Sequence, residues 1–167
     1  MSAVRATSTA TRLAELGDAA AIAEIYNQGI EDRVGTFETR LRTVAEIEAW
    51  ITGEYPVVVV VEADGDVAGF ASSSLYRPRD CYAGVWEFSV YVARGRRGQG
   101  RGEAALVALQ DEARRRGAWK LVSRVFLENN ASRRLLVRNG FREVGVYLKH
   151  GKLDGQWRDV VIVERLL

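Results

Sequence analysis

The chain has 167 residues, of which 47% are apolar, and it carries a formal net charge of +2. This length suits one domain with its own hydrophobic core, and the apolar fraction excludes an intrinsically disordered chain. The small net charge argues against a nucleic-acid-binding protein, and no apolar stretch reaches the roughly 20 residues that span a bilayer.

The chain contains one cysteine, Cys81, and one histidine, His150. An intramolecular disulfide is therefore impossible, and the thiolate and imidazole ligands of a zinc-type site are missing. Residues 1–10 are small or polar and lack the apolar block of a signal peptide, so we expect a flexible extension there. Together these features predict a cytoplasmic protein without a metal ion.

Two helices are predicted in the first part of the chain, after a short strand near residues 12–14. Asp18 precedes an alanine-rich stretch, and we expect it to be the N-cap of the first helix. Thr43 and Glu46 have the spacing of a capping box, which predicts that the second helix begins there.

The middle of the chain predicts a β-hairpin followed by a further strand. Residues 57–61 are five consecutive valines, a pattern typical of a strand that is buried on both faces. The turn at residues 64–66 contains Gly65 and leads into a returning strand over residues 67–75. Residues 85–92 form the next predicted strand.

The second half alternates strands with helices. Its predicted elements are a helix over 103–116 closed by Gly117, a strand over 119–126, a helix from Asn129 or Asn130 to 140, and strands over 141–147 and 157–166. Early hairpins followed by this alternation predict an α/β sandwich in which helices flank a mixed sheet.

The loop after the strand 85–92 is rich in glycine and arginine, and its core is Arg97-Gly98-Gln99-Gly100-Arg101-Gly102. Amides at a helix N-terminus attract anions, glycines let the backbone approach a phosphate, and arginines add charge-assisted hydrogen bonds. The loop therefore predicts a phosphate or diphosphate site, with a simple turn bearing solvated arginines as the alternative. The next residues, Glu103 and Ala104, fit neither a P-loop nor a Rossmann fingerprint.

Two motifs resemble the acetyl-CoA-binding segments of the GNAT superfamily of N-acetyltransferases. The first is Arg97-x-x-Gly100-x-Gly102, and the second is Asn129-Asn130-Ala131-Ser132 followed by Asn139-Gly140-Phe141. The resemblance extends over about residues 11 to 166 and implies a single acetyltransferase domain, residues 11–167. It also implies a mixed, mostly antiparallel sheet of about seven strands flanked by about four helices.

Further segments are similar to the phosphinothricin acetyltransferase branch, whose members N-acetylate phosphinothricin, methionine sulfoximine or arsinothricin. They include Ile25-Tyr26-Asn27, Trp86-Glu87 and Lys149-His150-Gly151, and residues 26–33 and 151–155 look most like the arsinothricin type. The resemblance implies acetyl-CoA as co-substrate, an amino-acid-like acceptor that attacks directly, and a role in antibiotic resistance. It also implies a homodimer with residues 149–157 near the interface.

The resemblance also assigns coenzyme-binding residues. It implies that backbone groups of Val90, Tyr91 and Val92 hold the pantetheine arm. The implied diphosphate loop comprises Arg97, Gly98, Gln99, Gly100, Arg101, Gly102 and Glu103, and a second coenzyme-contacting segment contributes Asn129 and Ser132.

Glu87 is the expected general base, both from the resemblance and from its chemistry. An amine must lose a proton before it attacks a thioester, and a carboxylate accepts that proton directly or through one water. Strand alternation places Glu87 and Ser89 on one face of the strand, away from Phe88 and Val90. A structural ion pair with a nearby arginine is the alternative reason for an acid within this apolar strand.

The loop before this strand suits an amino-acid acceptor, because arginine forks bind carboxylates and similar oxyanions through paired hydrogen bonds. With the resemblance, we expect Arg77 and Arg79 to form a substrate clamp with Tyr82; a solvent-exposed basic turn is the alternative. Further substrate-binding candidates are Phe37, Ser89, Lys149 and His150.

The fourth predicted helix departs from the family pattern. Many relatives carry a tyrosine or a histidine there, whereas this chain has Leu136 and no tyrosine between Asn129 and Phe141. Protonation of the departing thiolate by water, or its direct loss, is therefore expected.

Three other functions stay open at this point. One changes the acceptor to a protein N-terminus, a polyamine or an aminoglycoside, although the pair Arg77 and Arg79 disfavours polycations. A second alternative is a sensor that binds coenzyme A without catalysis, which the carboxylate at Glu87 disfavours because such a protein needs no general base. A nucleic-acid binder using the arginines of residues 94–101 is disfavoured by the near-neutral charge.

Overall fold

The computed structural model describes residues 9–167, so the extension predicted for residues 1–10 falls almost entirely outside the described residues. Over residues 9–167 the chain forms one seven-stranded sheet and four α-helices, which confirms the predicted architecture. The strands are β1 (Ala10–Leu13), β2 (Val57–Val61), β3 (Val67–Leu75), β4 (Val85–Val92), β5 (Lys120–Phe126), β6 (Arg142–Leu153) and β7 (Gln156–Leu166). The helices are α1 (Ala19–Asp32), α2 (Val44–Ile51), α3 (Arg101–Arg115) and α4 (Asn130–Arg138). None of these helices combines the length and the apolar character needed to cross a bilayer.

Local signals set most of these boundaries. The capping box of α2 is confirmed, because the Thr43 hydroxyl accepts the Glu46 amide at 3.3 Å and the Glu46 carboxylate accepts the Thr43 amide at 2.8 Å. Asp18 occupies the N-cap position of α1, as predicted, but its side chain makes no capping hydrogen bond. Its carboxylate instead accepts the Arg12 guanidinium at 2.6 Å and the Glu15 amide at 2.8 Å, and the Arg12 hydrogen bond lowers the pKa of Asp18.

The valine run of β2 serves two hydrophobic cores. Val58 and Val60 pack into the core under α3, together with Leu106 and Leu109, whereas Val57 and Val59 face the core under α1 and α2. Alternating side chains point to opposite faces of a strand, so every valine finds apolar cover. This packing confirms the prediction that β2 is buried on both faces.

The strand order is β1-β2-β3-β4-β5-β7-β6, and the pair β4–β5 is parallel while the others are antiparallel. Helix α3 makes the crossover that a parallel pair requires. Only Val85, Trp86 and Glu87 pair with β5, opposite Lys120, Leu121 and Val122, and beyond that point the two strands diverge. The divergence opens the middle of the sheet and leaves the second half of β4 unpaired on that side.

Candidate active site

The gap between β4 and β5 forms a cleft with a volume of about 650 Å³. One wall is the second half of β4, including Val90, Tyr91 and Val92, and the other includes Ser123 and Val125 of β5. On the side that faces the cleft, the backbone amide and carbonyl groups along this part of β4 have no partner strand. An extended molecule that contains amides can form hydrogen bonds with them, as an added strand would. The three β4 residues predicted to hold the pantetheine arm therefore line this cleft.

The cleft ends at the N-terminus of α3. Gly98 and Gly100 line it with φ angles of +73° and +79°, and nothing lies within 4 Å of a Cβ atom built on either residue. The left-handed conformation favours glycine, and the open space leaves the backbone accessible. The first amides of a helix have no intrahelical partner, so this end of the cleft suits a phosphate group.

The two predicted diphosphate arginines are engaged within the protein. Arg101 binds the buried carboxylate of Glu62 through two hydrogen bonds, at 2.7 and 3.0 Å. Arg97 pairs with Asp32 at 2.7 Å and donates to the Val92 carbonyl at 3.3 Å. Both side chains thus hold the loop in place. Hydrogen bonds, from Arg94 first and then from Arg97, lower the pKa of Asp32.

Glu62→Ala is expected to lower the free energy of unfolding by about 2 kcal/mol, because it leaves the Arg101 guanidinium largely buried without its partner. The side chains of this pair are 14% and 4% exposed. Urea unfolding measures the change. Asp111→Ala is the matched control, since it breaks the exposed pair with Arg114 on the same helix and should change stability little. Equal losses in the two variants would contradict the prediction.

Two cleft arginines lie outside the sequence predictions. Arg134 and Arg138 line the cleft from α4, and neither guanidinium has an ion pair or a hydrogen bond within the part of the chain that the structure describes. Their spacing of four residues places them on one face of the helix. This spacing, in a helix that Asn129 was predicted to cap, was the sequence signal from which these two arginines could have been predicted as part of the site.

Asn129 and Ser132, the predicted second coenzyme-contacting segment, both line the cleft at the start of α4. The side-chain Oδ1 of Asn129 accepts the Ser132 amide at 3.2 Å, and its side-chain NH2 group donates to the Val34 carbonyl at 3.0 Å. Asn129 therefore caps the helix and fixes the segment that follows α1 against the cleft.

A second cavity of about 360 Å³ adjoins the cleft. The two cavities adjoin, because they share Gly35, Phe88, Ser89, Tyr91, Ser123 and Arg124 as lining residues. Four predicted substrate residues line the second cavity, namely Phe37, Glu87, Ser89 and His150. We call it the acceptor cavity.

Glu87 lies in the wall of the acceptor cavity and forms an ion pair with Arg124 of β5. This contact is the alternative that the sequence left open for Glu87, with the partner now identified. The Glu87 side chain is 30% exposed, so a substrate reaches its carboxylate from the cavity. Glu38 also lines the cavity and is paired with Arg42 at 3.1 Å.

His150 reaches the acceptor cavity through an irregularity in β6. Tyr147 pairs with Val160 and Gly151 pairs with Arg158, so three residues of β6 face one residue of β7. Lys149 at the centre of the bulge has a φ of +47°, and its amide donates to Asp159 at 2.7 Å. Lys149 itself lines neither cavity. Beyond the bulge β6 pairs with β7 again and extends to Leu153, past the strand predicted for residues 141–147.

The predicted substrate clamp lies outside both cavities. Arg77 and Arg79 are exposed, and they line neither cavity, nor does Tyr82. The Arg77 guanidinium lies 5.1 Å from the ring centroid of Tyr76; a hydrogen bond with Tyr76, and to a smaller extent the charge of Glu87, raise the pKa of Arg77. Gln99 also lies outside the walls, where its side chain donates to the Gly95 carbonyl at 3.4 Å.

The junction of the two cavities contains hydroxyl groups. Tyr91 lies there, and burial raises the pKa of its phenol, so the phenol stays protonated at neutral pH. The Ser123 hydroxyl donates to the Phe88 carbonyl at 3.0 Å. Leu136 of α4 lines the cleft, and it carries no exchangeable proton.

Comparison with known proteins identifies consistent relatives. A model of the acetyltransferase (GNAT) family matches residues 21–141. The chain is 33% identical over 152 residues to the phosphinothricin N-acetyltransferase of Streptomyces coelicolor, which covers 87% of this chain and 89% of that protein. It is 32% identical over 161 residues to the L-methionine sulfoximine/L-methionine sulfone acetyltransferase of Pseudomonas paraeruginosa, which covers 94% of each. Among solved structures, the chain resembles yncA from Salmonella typhimurium, which is described as a putative acetyltransferase with its cofactor acetyl-CoA. The two superpose with a TM-score of 0.91 and share 33% sequence identity. The match covers 96% of this chain and 95% of that chain.

Proposed function

Because the chain belongs to the acetyltransferase (GNAT) family and is an acetyl-CoA-dependent N-acetyltransferase, we propose that it acetylates the amino group of a small amino-acid-like molecule. The phosphinothricin, methionine sulfoximine and arsinothricin type of acceptor is the class we favour, with antibiotic resistance as its biological consequence. The observation that carries this proposal is that the cleft, which ends at the phosphate-suited start of α3, adjoins the charged acceptor cavity. The relatives named for phosphinothricin and methionine sulfoximine support it.

The cleft residues fit the shape and charge of acetyl-CoA, which supplies an activated acyl group as its thioester. In this proposal the amides around Gly98 and Gly100 hold the diphosphate, and Arg134 and Arg138 add positive charge beside it. The β4 backbone around Val90 binds the pantetheine amides. The acetyl end then lies at the junction with the acceptor cavity.

In the proposed reaction, Glu87 takes a proton from the acceptor ammonium, directly or through one water. The resulting amine nitrogen forms a bond to the acetyl carbonyl carbon, and the bond from that carbon to sulfur breaks. The nitrogen loses its second proton to water as the amide forms, and coenzyme A leaves as a thiolate that takes up one proton from solvent. Glu87 then returns its proton to solvent, so the reaction of the acceptor ammonium releases one proton in all. A thiolate is a weak base compared with an alkoxide, so its departure needs no strong acid on α4.

We place the distal end of the acceptor near the Arg77 and Arg79 loop. Ser74 near the end of β3 pairs with Glu87 and lines the acceptor cavity, and the arginine loop begins directly after this strand, so the loop lies beside the cavity. A phosphinate or sulfoximine oxygen that projects from the cavity is then available to these guanidiniums and to Tyr82. His150 contacts the acceptor in the cavity, and Lys149 lies beside it.

The test is release of free coenzyme A from acetyl-CoA with phosphinothricin, methionine sulfoximine, methionine sulfone and arsinothricin as separate acceptors. We expect kcat/KM for at least one of them to exceed that for spermidine or for a short peptide by about 100-fold, because a polar site rejects acceptors that leave its charged groups unpaired. A higher kcat/KM with the peptide or the polyamine would overturn the proposed acceptor class. A cytoplasmic location is part of the same proposal, since acetyl-CoA must be supplied there.

We further propose that the protein is a homodimer formed through β6. This edge strand exposes Val144, Val146, Tyr147 and Leu148, with exposed fractions from 45% to 75%. Long apolar edge strands invite pairing, and a second copy of the chain supplies a matching edge. Residues 149–157, which comprise the end of β6, the turn and the first two residues of β7, then lie near the partner.

Leu148→Glu is expected to convert the dimer into a monomer, because it places a charge in the centre of the proposed contact. Sedimentation velocity at micromolar concentration measures the change. Leu16→Glu is the control, since Leu16 is 55% exposed but lies at the other end of the sheet, before α1. Monomeric wild-type protein would contradict the proposed dimer.

A further inference from the structure

The ion pair between Glu87 and Arg124 lies at the point where β4 and β5 separate. Glu87 is the last β4 residue that pairs with β5, opposite Val122. Arg124 follows Val122 by two residues and therefore shares its face of the sheet, so the carboxylate and the guanidinium both line the acceptor cavity. Ser89, two residues beyond Glu87, lies on the same face and also lines the cavity.

This pair is accessible and is not part of a larger network. The side chains of Arg124 and Glu87 are 45% and 30% exposed. Within residues 9–167 each has the other as its partner in an ion pair, whereas the other cavity carboxylate, Glu38, is engaged with Arg42. An exposed pair of this kind is worth little energy, so a ligand separates it at small cost.

We propose that Arg124 binds the α-carboxylate of the acceptor while Glu87 binds its α-ammonium, so that an amino-acid zwitterion replaces the ion pair. This inference rests on the proposed function and specifies its substrate class. The exchange conserves charge, because one ion pair becomes two and no charged group loses its partner. It places the amine against the base and beside the junction where the acetyl group is expected.

The charge arrangement favours an amino acid over acceptors that lack an α-carboxylate. An amine without an α-carboxylate competes with Arg124 for Glu87 and leaves the guanidinium without a partner. A peptide N-terminus has an amide in place of the carboxylate, and a polyamine brings a further cation. The Arg77 and Arg79 loop remains available for the distal end of the acceptor. Arg124 and this loop therefore recognise opposite ends of one molecule.

The experiment compares Arg124→Met with wild type on two matched acceptors, L-methionine sulfone and 3-(methylsulfonyl)propan-1-amine, which differ only in the carboxylate. We expect kcat/KM for methionine sulfone to fall by about 100-fold in Arg124→Met, whereas the decarboxylated amine changes by less than about threefold. The ratio of the two values is decisive, because an altered basicity of Glu87 affects both acceptors equally. Arg124→Lys keeps the charge but loses the fork, and an intermediate ratio is expected.

Arg114→Met serves as the matched control, because Arg114 forms an exposed ion pair and lines neither cavity. In this variant the ratio of kcat/KM for the two acceptors should equal that of wild type. Thermal unfolding checks that each variant is folded. A ratio that is unchanged in Arg124→Met overturns the inference.

Calorimetric titration of methionine sulfone into the coenzyme A complex separates this inference from the proposed function. Wild-type binding that is lost in Arg124→Met, without turnover of any acceptor, supports the carboxylate site and refutes the proposed reaction. Turnover of the amine and no binding of methionine sulfone to the wild-type complex refutes the carboxylate site while acetyl transfer stands.

Discussion

Glu87→Gln is expected to lower kcat/KM for the acceptor amine by about 1,000-fold, within the range that general-base catalysis contributes. The amide keeps the shape of the side chain and a hydrogen-bond acceptor for Arg124, but it cannot take a proton at neutral pH. The acceptor amine then has to be deprotonated by water. The loss should shrink as the pH is raised, because a larger fraction of the acceptor is already the free amine.

Steady-state kinetics with saturating acetyl-CoA measure this effect, and isothermal titration of acetyl-CoA shows whether coenzyme binding is intact. Glu38→Gln is the matched control, since Glu38 is a second carboxylate in the wall of the acceptor cavity and is paired with Arg42. We expect this control to change kcat/KM by less than about threefold. A Glu87→Gln variant within tenfold of wild type at neutral pH would show that another group or water removes the proton.

Gly100→Ala is expected to raise the KM for acetyl-CoA by about 100-fold, which corresponds to the loss of about two charge-assisted hydrogen bonds to phosphate. Gly100 has a φ of +79°, a conformation in which a Cβ atom costs about 1–2 kcal/mol. A loop that relaxes away from this conformation moves its amides out of register with the diphosphate. The methyl group also occupies space that the structure leaves open beside the backbone.

The control for this prediction carries the same backbone strain at a different place. Gly65 in the turn between β2 and β3 has a φ of +94°, and no atom lies within 4 Å of a Cβ atom built on it. Gly65→Ala should lower the free energy of unfolding about as much as Gly100→Ala and leave the KM for acetyl-CoA unchanged. If both variants raise the KM equally, global destabilisation explains the effect and the diphosphate assignment fails.

Local patterns in the sequence predicted the elements of the fold. The bounds of β3 and β4 agree with the predicted strands over 67–75 and 85–92, and the capping box at Thr43 lies where its spacing indicates. The glycine and arginine loop was predicted as an anion site from residues within one short segment. Such features depend on turn conformation, helix caps and side-chain alternation, which act over a few residues.

The acceptor cavity depended on contacts between distant segments. Glu87 meets Arg124 across 37 residues, and Arg101 meets Glu62 across 39, so neither partner is visible in a local pattern. The bulge in β6 brings His150 into the cavity, while the exposed Arg77 loop stays outside its walls.

The sequence by itself thus determined most of the helices and strands and the family resemblance, and it predicted an anion site in the glycine and arginine loop. The tertiary structure decided which charges pair and which residues line the cavities. The reason is physical: pairing of side chains across a sheet follows from strand order and register, and these are fixed only when the whole core packs. The parting of β4 and β5 after three residue pairs, which opens the cleft, is a property of that packed sheet.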